Sequence, residues 1–472
     1  MKDVVMALDL ADDTTRDAVT ARLAARYAGR PVLLGPGILA GCTGLVERFV
    51  ALGCRVLVLS TGDGAGPVPP DGSCTVVEVD LPPTASMTEE VRVLDRTVRT
   101  LPSHLVDAIE AFDPQRRGLW HTSPFVTDDE PVLGRPVTGG RPASYLALED
   151  KMLADDLWAA AGVEHAPYRI CPVERAELAA ATRTLATTRG VVWSGDARDG
   201  LNGGGNFVRW VRDTDDEAAA FAFFAPRCDR VRVVGFLDGV PCSIHGFVVP
   251  GAGTAVFRPV ELAILRDEAR RRFVYGGLST WWDPPAADRE AMRAAARRVG
   301  DHLAAHHDYR GAFGIDGVLT HDGFRPTELN TRASAGVSTI ASVDPAFFSF
   351  LQAALVSGVE TGLSAADLES LLPLMDAHRH GRPSAVGQGV PVGGTHSYPI
   401  SYDGARLTRS EQPTGSDLVA ADTPIGFFAK IDPCTLLEPG DRLAPLNAAL
   451  LAHLDAAYDT GFGDLQAAPD LR

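Results

Sequence analysis

The chain has 472 residues, enough for two to four domains, and its 45% apolar and 22% charged content is that of an ordinary globular protein. Its 61 acidic and 44 basic residues leave a net charge of −17, which argues against a nucleic-acid binder, since such proteins need a basic face. The seven cysteines are scattered, odd in number and free of any CxxC pair, as expected of a reducing compartment.

The opening MKDVVMALDLADD carries acids where a signal peptide has its apolar core. No apolar run approaches the roughly 20 residues that span a bilayer, so a cytoplasmic protein is expected. The only lysines are Lys2, Lys151 and Lys430, so 44 − 3 = 41 of the basic residues are arginine. A retained lysine then gains interest, because a compact ammonium and a guanidinium fork are not interchangeable.

Residues 31–60 read as strand, glycine turn, helix and strand, a βαβ unit that implies a parallel sheet. A helix is expected over about 88–112, then an irregular stretch, FVTDDEPVLGRPVTGGRP. From 144 the pattern changes. A helix carrying Lys151 stops at Gly162, and short strands APYRI and GVVWS flank a helix over 174–188. The loop that follows GVVWS holds Gly203, Gly204 and Gly205, whose amides are able to cradle phosphates. Further strands (RVRVVGFL, CSIHGFVV), a helix (DREAMRAAARRVGDHLAAHHD) and a hairpin (AFGIDGVLT, FRPTELN) come next. Helices near 345–357 and 364–372 lead into a glycine- and proline-rich tail with strands GTHSYPIS and IGFFAKID and a last helix over 442–458.

The hairpin concentrates the chemistry. In FRPTELNTRASAG, Glu328, Asn330 and Arg332 alternate along a strand and share a face. A three-residue loop of His321, Asp322 and Gly323 would set Asp316 opposite Glu328, whereas a two-residue loop of Asp322 and Gly323 would oppose Asp316 to Leu329. Two carboxylates and an amide make a hard, oxygen-rich site suited to Mg²⁺ completed by phosphates. The same alternation also fits a salt-bridged surface hairpin.

Taken in order, the Lys151 helix ending in AGV, the glycine loop, GFLDGVPCSIHGFVV, GIDGVL and ELNTR resemble the ATP-grasp superfamily over residues 144–345. The front βαβ unit resembles the domain that precedes this fold. The whole is most similar to the pre-ATP-grasp peptide ligases of actinobacterial natural-product pathways. The resemblance implies a mixed α/β and α+β architecture. It would have a Rossmann-like pre-ATP-grasp domain (1–143), an ATP-grasp domain (144–380) with a lid over about 165–235, and a C-terminal α+β segment (381–472).

The resemblance also implies ATP and Mg²⁺ as cofactors, a small-molecule carboxylate and an amine as substrates, and ligation through an acyl phosphate; a homodimer is a common outcome. Asp316, Glu328 and Asn330 match the Mg²⁺ ligands, and Lys151 matches the first phosphate lysine. Gly203, Gly204 and Gly205 match the mobile loop, and Arg332 the arginine facing the reacting group. Three departures stand out. The strand before the loop, Val191 to Ser194, lacks the second ATP lysine, for which Arg198 is a candidate substitute. Pro241-Cys242 stands where a glutamate is common. Gly314 replaces an arginine of the D-alanine ligases, with Arg258 or Arg310 as alternative sources of charge.

Two rival readings remain. One is a non-catalytic nucleotide-binding homologue, against which the complete acid set argues, since nothing evident in the sequence other than a cation would hold those acids together. The other is an NAD(P)-dependent oxidoreductase, for which Gly35-Pro36-Gly37 has the wrong spacing. His302, His306 and His307 read as a solvated helix end.

Overall fold

The computed structural model describes residues 8–472 apart from 83, 85 and 424; Lys2 and the first seven residues of the opening stretch lie outside the described residues. The βαβ unit forms as read, with the strand Val32–Gly37, the helix Leu39–Ala51 and the strand Val56–Ser60. Thr75–Glu78, Leu119–His121 and Val137–Thr138 complete a parallel five-stranded sheet in which Val32–Gly37 is central. Gly35 has φ +97°, and a Cβ there would lie 2.6 Å from the Leu59 carbonyl oxygen, so the turn requires glycine.

The single helix expected over 88–112 is instead two, Met87–Arg99 and Ser103–Phe112. The break falls at Leu101-Pro102, because proline lacks an N–H and bars its predecessor from helical geometry. The helix expected near 364–372 likewise divides into Ala365–Glu369 and Leu372–Ala377.

Tyr168–Pro172, Arg230–Gly235, Val191–Gly195 and Val208–Val211 make a small antiparallel sheet, in that spatial order. Helices Arg175–Leu185 and Thr214–Phe224 cover it, and Val191, Trp193, Phe224, Val231 and Val233 form its own core.

The largest sheet has eleven strands. Gly323–Asn330 lies at one edge, followed by Gly311–Thr320, Val240–Val249, Val260–Asp267 and Arg272–Ser279. Beyond these the sheet continues into Gly381–Gln388, Gly426–Ile431, Asp417–Thr423, Thr395–Tyr402 and Leu407–Arg409. Leu278 pairs with Arg382, so the tail and the central strands are one sheet. One face is covered by the helices Ala286–His307 and Leu443–Tyr458, which bury Cys242, Ile244 and Ile315, and Ala263 and Leu265, respectively. The other face carries Glu328, Asp316 and Ser243 in one cross-strand row. This is the mixed α/β and α+β architecture expected from the sequence. Among the described residues no helix is long and apolar enough to cross a membrane.

Candidate active site

The hairpin brings the acids together by a route different from the expected one. Its loop has two residues, since Thr320 pairs with Gly323 and Leu319 with Phe324. A bulge then leaves Thr327 unpaired between Pro326 and Glu328, and this extra residue restores Asp316 opposite Glu328. Pro326 has no N–H to give the ladder, and the Thr327 hydroxyl donates to the Asp316 carbonyl oxygen at 3.1 Å, closing the bulge.

Lys151 reaches this pair from the start of the helix Lys151–Ala160. The Asp150 side chain caps that helix by accepting from the Met152 N–H at 3.0 Å. The Lys151 Nζ lies 2.6 Å from Glu328 Oε2, and its side chain is only 10% exposed. The ammonium of Lys151 thus supplies a positive charge to the acids from within the chain, a partner that the sequence reading did not assign to them. Asn330 donates through Nδ2 to Asp316 Oδ2 at 3.1 Å and accepts from Arg332 Nη2 at 2.7 Å. Burial, followed by the charge of Glu328, raises the Asp316 pKa above the usual carboxylate range.

Arg332 is fixed from three sides. Its Nε is 3.2 Å from Glu149 Oε1, its guanidinium stacks 4.4 Å from the Phe125 ring, and its Nη2 bonds Asn330. Glu149 is buried; it also accepts from Arg141 and, at 2.9 Å, from the Thr331 N–H. The guanidinium of Arg332 comes first among the charges that hold the Glu149 carboxyl below its ordinary range against the cost of burial.

Beside Asp316, Ser243 is bonded to His245 Nε2 at 3.1 Å and donates to the Ile315 carbonyl oxygen at 3.2 Å. Burial pushes the His245 imidazole down to about 3, so it is neutral. A Cβ at Gly314 would lie 2.7 Å from that ring, so the imidazole occupies the space that a side chain at 314 would need.

The glycine loop is docked on the N-terminal part of the chain. Arg92 donates to the carbonyl oxygens of Leu201 and Gly200 at 3.0 and 3.1 Å and to Asn202 Oδ1 at 2.9 Å. The Thr88 hydroxyl donates to the Gly203 carbonyl oxygen at 2.9 Å. Gly204 and Gly205 have φ of +63° and +71°, a backbone that favours glycine.

Of the residues read from the sequence, Lys151, Asp316, Glu328, Asn330 and Arg332 form one contiguous cluster. Arg198 and Arg258 do not touch it. Arg198 pairs with Asp199 and Asp229 at 3.3 and 3.4 Å, and Arg258 is buried against Asp376 and Asp283. Arg310 pairs with Asp308 at 2.8 Å. Across from Ser194, where the second lysine is missing, stands Arg232, engaged by Asp155. Sequence reading missed Phe125, Arg141, Glu149, Ser243 and His245. Ser243 and His245 lie within the quoted run GFLDGVPCSIHGFVV and Glu149 two residues before Lys151, whereas Phe125 and Arg141 sit in the irregular stretch FVTDDEPVLGRPVTGGRP. Among the described residues no group of three or more His, Cys, Asp or Glu side chains is placed to hold a metal; the cluster offers two carboxylates and an amide.

No family model matches the chain, and no curated protein does. Solved structures share its fold. A carboxyaminoimidazole ribonucleotide synthase from Aspergillus clavatus, complexed with ATP, is 13% identical over 92% of this chain and 98% of its own, with a TM-score of 0.50. An L-amino acid ligase from Bacillus licheniformis is 14% identical over 93% and 98%, also at 0.50. The biotin carboxylase domain of Hydrogenobacter thermophilus 2-oxoglutarate carboxylase, solved with MgADP and bicarbonate, is 14% identical over 85% of each chain, at 0.52.

Proposed function

We propose that the chain is an ATP-dependent carboxylate–amine ligase. It would form an amide through an acyl phosphate and release ADP and phosphate. The observation that carries this reading is the cluster itself, in which Asp316, Glu328 and Asn330 present oxygens beside the ammonium of Lys151 and the fork of Arg332. The fold shared with an ATP-complexed carboxyaminoimidazole ribonucleotide synthase, an L-amino acid ligase and a biotin carboxylase domain holding MgADP and bicarbonate supports it.

The donor set fits Mg²⁺. Burial first, and then the charge of Glu328, raises the Asp316 pKa, and an ammonium and an amide N–H already stand against the oxygens of the two acids. Asp316, Glu328 and Asn330 would hold the ion, with Asn330 Oδ1 releasing Arg332 to do so. When bound, Mg·ATP supplies the phosphoryl group and the neutralisation of its charge. Lys151, released from Glu328, would meet a phosphate as a point charge, and Arg332 would grip a planar carboxylate or phosphate. The loop over Gly203 to Gly205 would exclude water from the acyl phosphate. In this reading the 165–235 lid closes over the nucleotide, and residues 1–143 form a pre-ATP-grasp domain. The substrates are amino acids or peptides of the kind joined by natural-product peptide ligases.

The test is thermal stability with Mg·ATP, Mg·ADP and NAD(P). A ligand at about 100 times its dissociation constant adds about 2.7 kcal/mol. The expected result is a shift with Mg·ATP that disappears in Glu328→Ala, followed by ADP release with pairs of amino acids. A shift with NAD(P) alone would overturn the reading.

A further inference from the structure

The reach of the candidate site extends beyond residues 144–380. Phe125 and Arg141 belong to the irregular stretch before the helix Ala143–Ala147, and both converge on Arg332 or on its partner Glu149. That stretch is closed on itself. The Arg141 N–H donates to the Val126 carbonyl oxygen at 3.1 Å, and the Asp128 N–H donates to the Arg141 carbonyl oxygen at 3.0 Å. Phe125 and Arg141 are thereby delivered as a unit.

A free arginine side chain is long and rotamer-rich, whereas a reacting group must be held to within about 0.5 Å. Glu149 supplies a charge at Nε, Phe125 a ring face, and Asn330 an oxygen at one Nη2 hydrogen. Glu149 and Phe125 still fix the plane of the guanidinium once Asn330 Oδ1 turns to the ion, and Nη1 is left to meet a ligand. Glu149 itself is buried and bonded by Arg141 and Thr331, so it does not touch a substrate. Two guanidiniums share this one carboxylate; Arg141 Nε and Nη2 and Arg332 Nε are buried without a hydrogen-bond partner, so Glu149 meets Arg332 Nε through charge alone. The surplus positive charge lies beside Arg332, where an anion would bind.

We propose that Glu149, braced by Arg141 and Phe125, is the positioning residue for Arg332, and that the segment before residue 143 is thereby part of the active site. The assignment rests on the ligase reading of Arg332.

The test uses the full chain with Glu149→Gln and Phe125→Leu, the second keeping apolar contact without a ring face. Hydrogen exchange of the Arg332 Nε–H is followed by NMR, with the signal assigned by its loss in Arg332→Lys. In parallel, ADP release from Mg·ATP is measured in each single variant and in Glu149→Gln combined with Arg332→Lys. The expected result is faster Nε–H exchange in both single variants. Glu149→Gln should also slow ADP release by about tenfold to a hundredfold, and should slow it no further in the Arg332→Lys background. A salt bridge with a structural role alone would lower the melting temperature and leave the Arg332 exchange rate unchanged, which would overturn the proposal. Equal slowing of the Arg332→Lys and wild-type proteins would overturn it as well. If Arg332→Lys released ADP at the wild-type rate, the ligase role of Arg332 would fall, while the exchange measurement would still decide whether Glu149 holds it.

Discussion

Asp155 and Arg232 form a bidentate ion pair between the helix that begins at Lys151 and the small antiparallel sheet. Asp155 is 0% exposed and the Arg232 side chain 4%. Exposed pairs contribute about 0–1 kcal/mol, whereas removing one partner of a buried pair costs about 3–5 kcal/mol, because a charge is left without compensation. Burial places this pair in the second class. Asp155→Asn should therefore destabilise the protein by about 3–5 kcal/mol, read as a lower denaturation midpoint at unchanged slope. The double variant Asp155→Leu with Arg232→Met should recover most of the loss, since no buried charge remains. The pair also ties the small sheet to the helix of Lys151, so Asp155→Asn should raise the KM for ATP more than it lowers kcat. A loss below about 1 kcal/mol, with the double variant no better than the single, would refute the argument that burial decides the size of the effect.

Three further outcomes are expected. Arg92→Ala removes three hydrogen bonds to residues 200–202, and amide hydrogen exchange across 200–206 should rise about tenfold or more, with loops elsewhere unchanged. Lys151→Met should weaken the Mg·ATP thermal shift, since one charge-assisted phosphate contact is worth about 1.5–3 kcal/mol. Burial pushes His121 down to about 4, so the folded chain keeps it neutral while the unfolded chain protonates it below about 6.5. Unfolding then takes up a proton in this window. Stability should fall as the pH drops from about 6.5 to about 4, by a few kcal/mol in all, and less steeply in His121→Asn, as equilibrium denaturation across that range would show.

The sequence was most legible where function and local pattern coincide. The alternation Glu328, Asn330, Arg332 placed three groups on one face without any knowledge of the sheet around them. The register was harder. The facing of Asp316 and Glu328 was read correctly, but from a three-residue loop, when a two-residue loop and a bulge at Thr327 produce it. Pro326 was the available sign, because a proline inside a paired strand asks for an irregularity. Glu149, Phe125 and Arg141 were not legible because their meaning is tertiary. With 41 arginines and 61 acids in the chain, no local pattern separates a buried partner of Arg332 from a solvated charge. The union of the tail with the central strands was equally hidden, since Arg272–Ser279 and Gly381–Gln388 pair across a hundred residues of intervening chain.

That union governs how the protein must be made. Until Gly381–Gln388 has been synthesised, Gly277–Ser279 lacks the strand that pairs with its open side. Until the last helix follows, Glu261 is an acid without Arg442, which meets it at 2.6 Å in the finished molecule. From residue 380 to the end of the helix Leu443–Tyr458 is 458 − 380 = 78 residues, or roughly 4–16 s of ribosome time at typical rates. For that interval the nascent chain carries a half-built sheet whose open edge can recruit any extended strand nearby. Its cellular yield should therefore depend on chaperone supply during elongation more than on the stability of the completed fold.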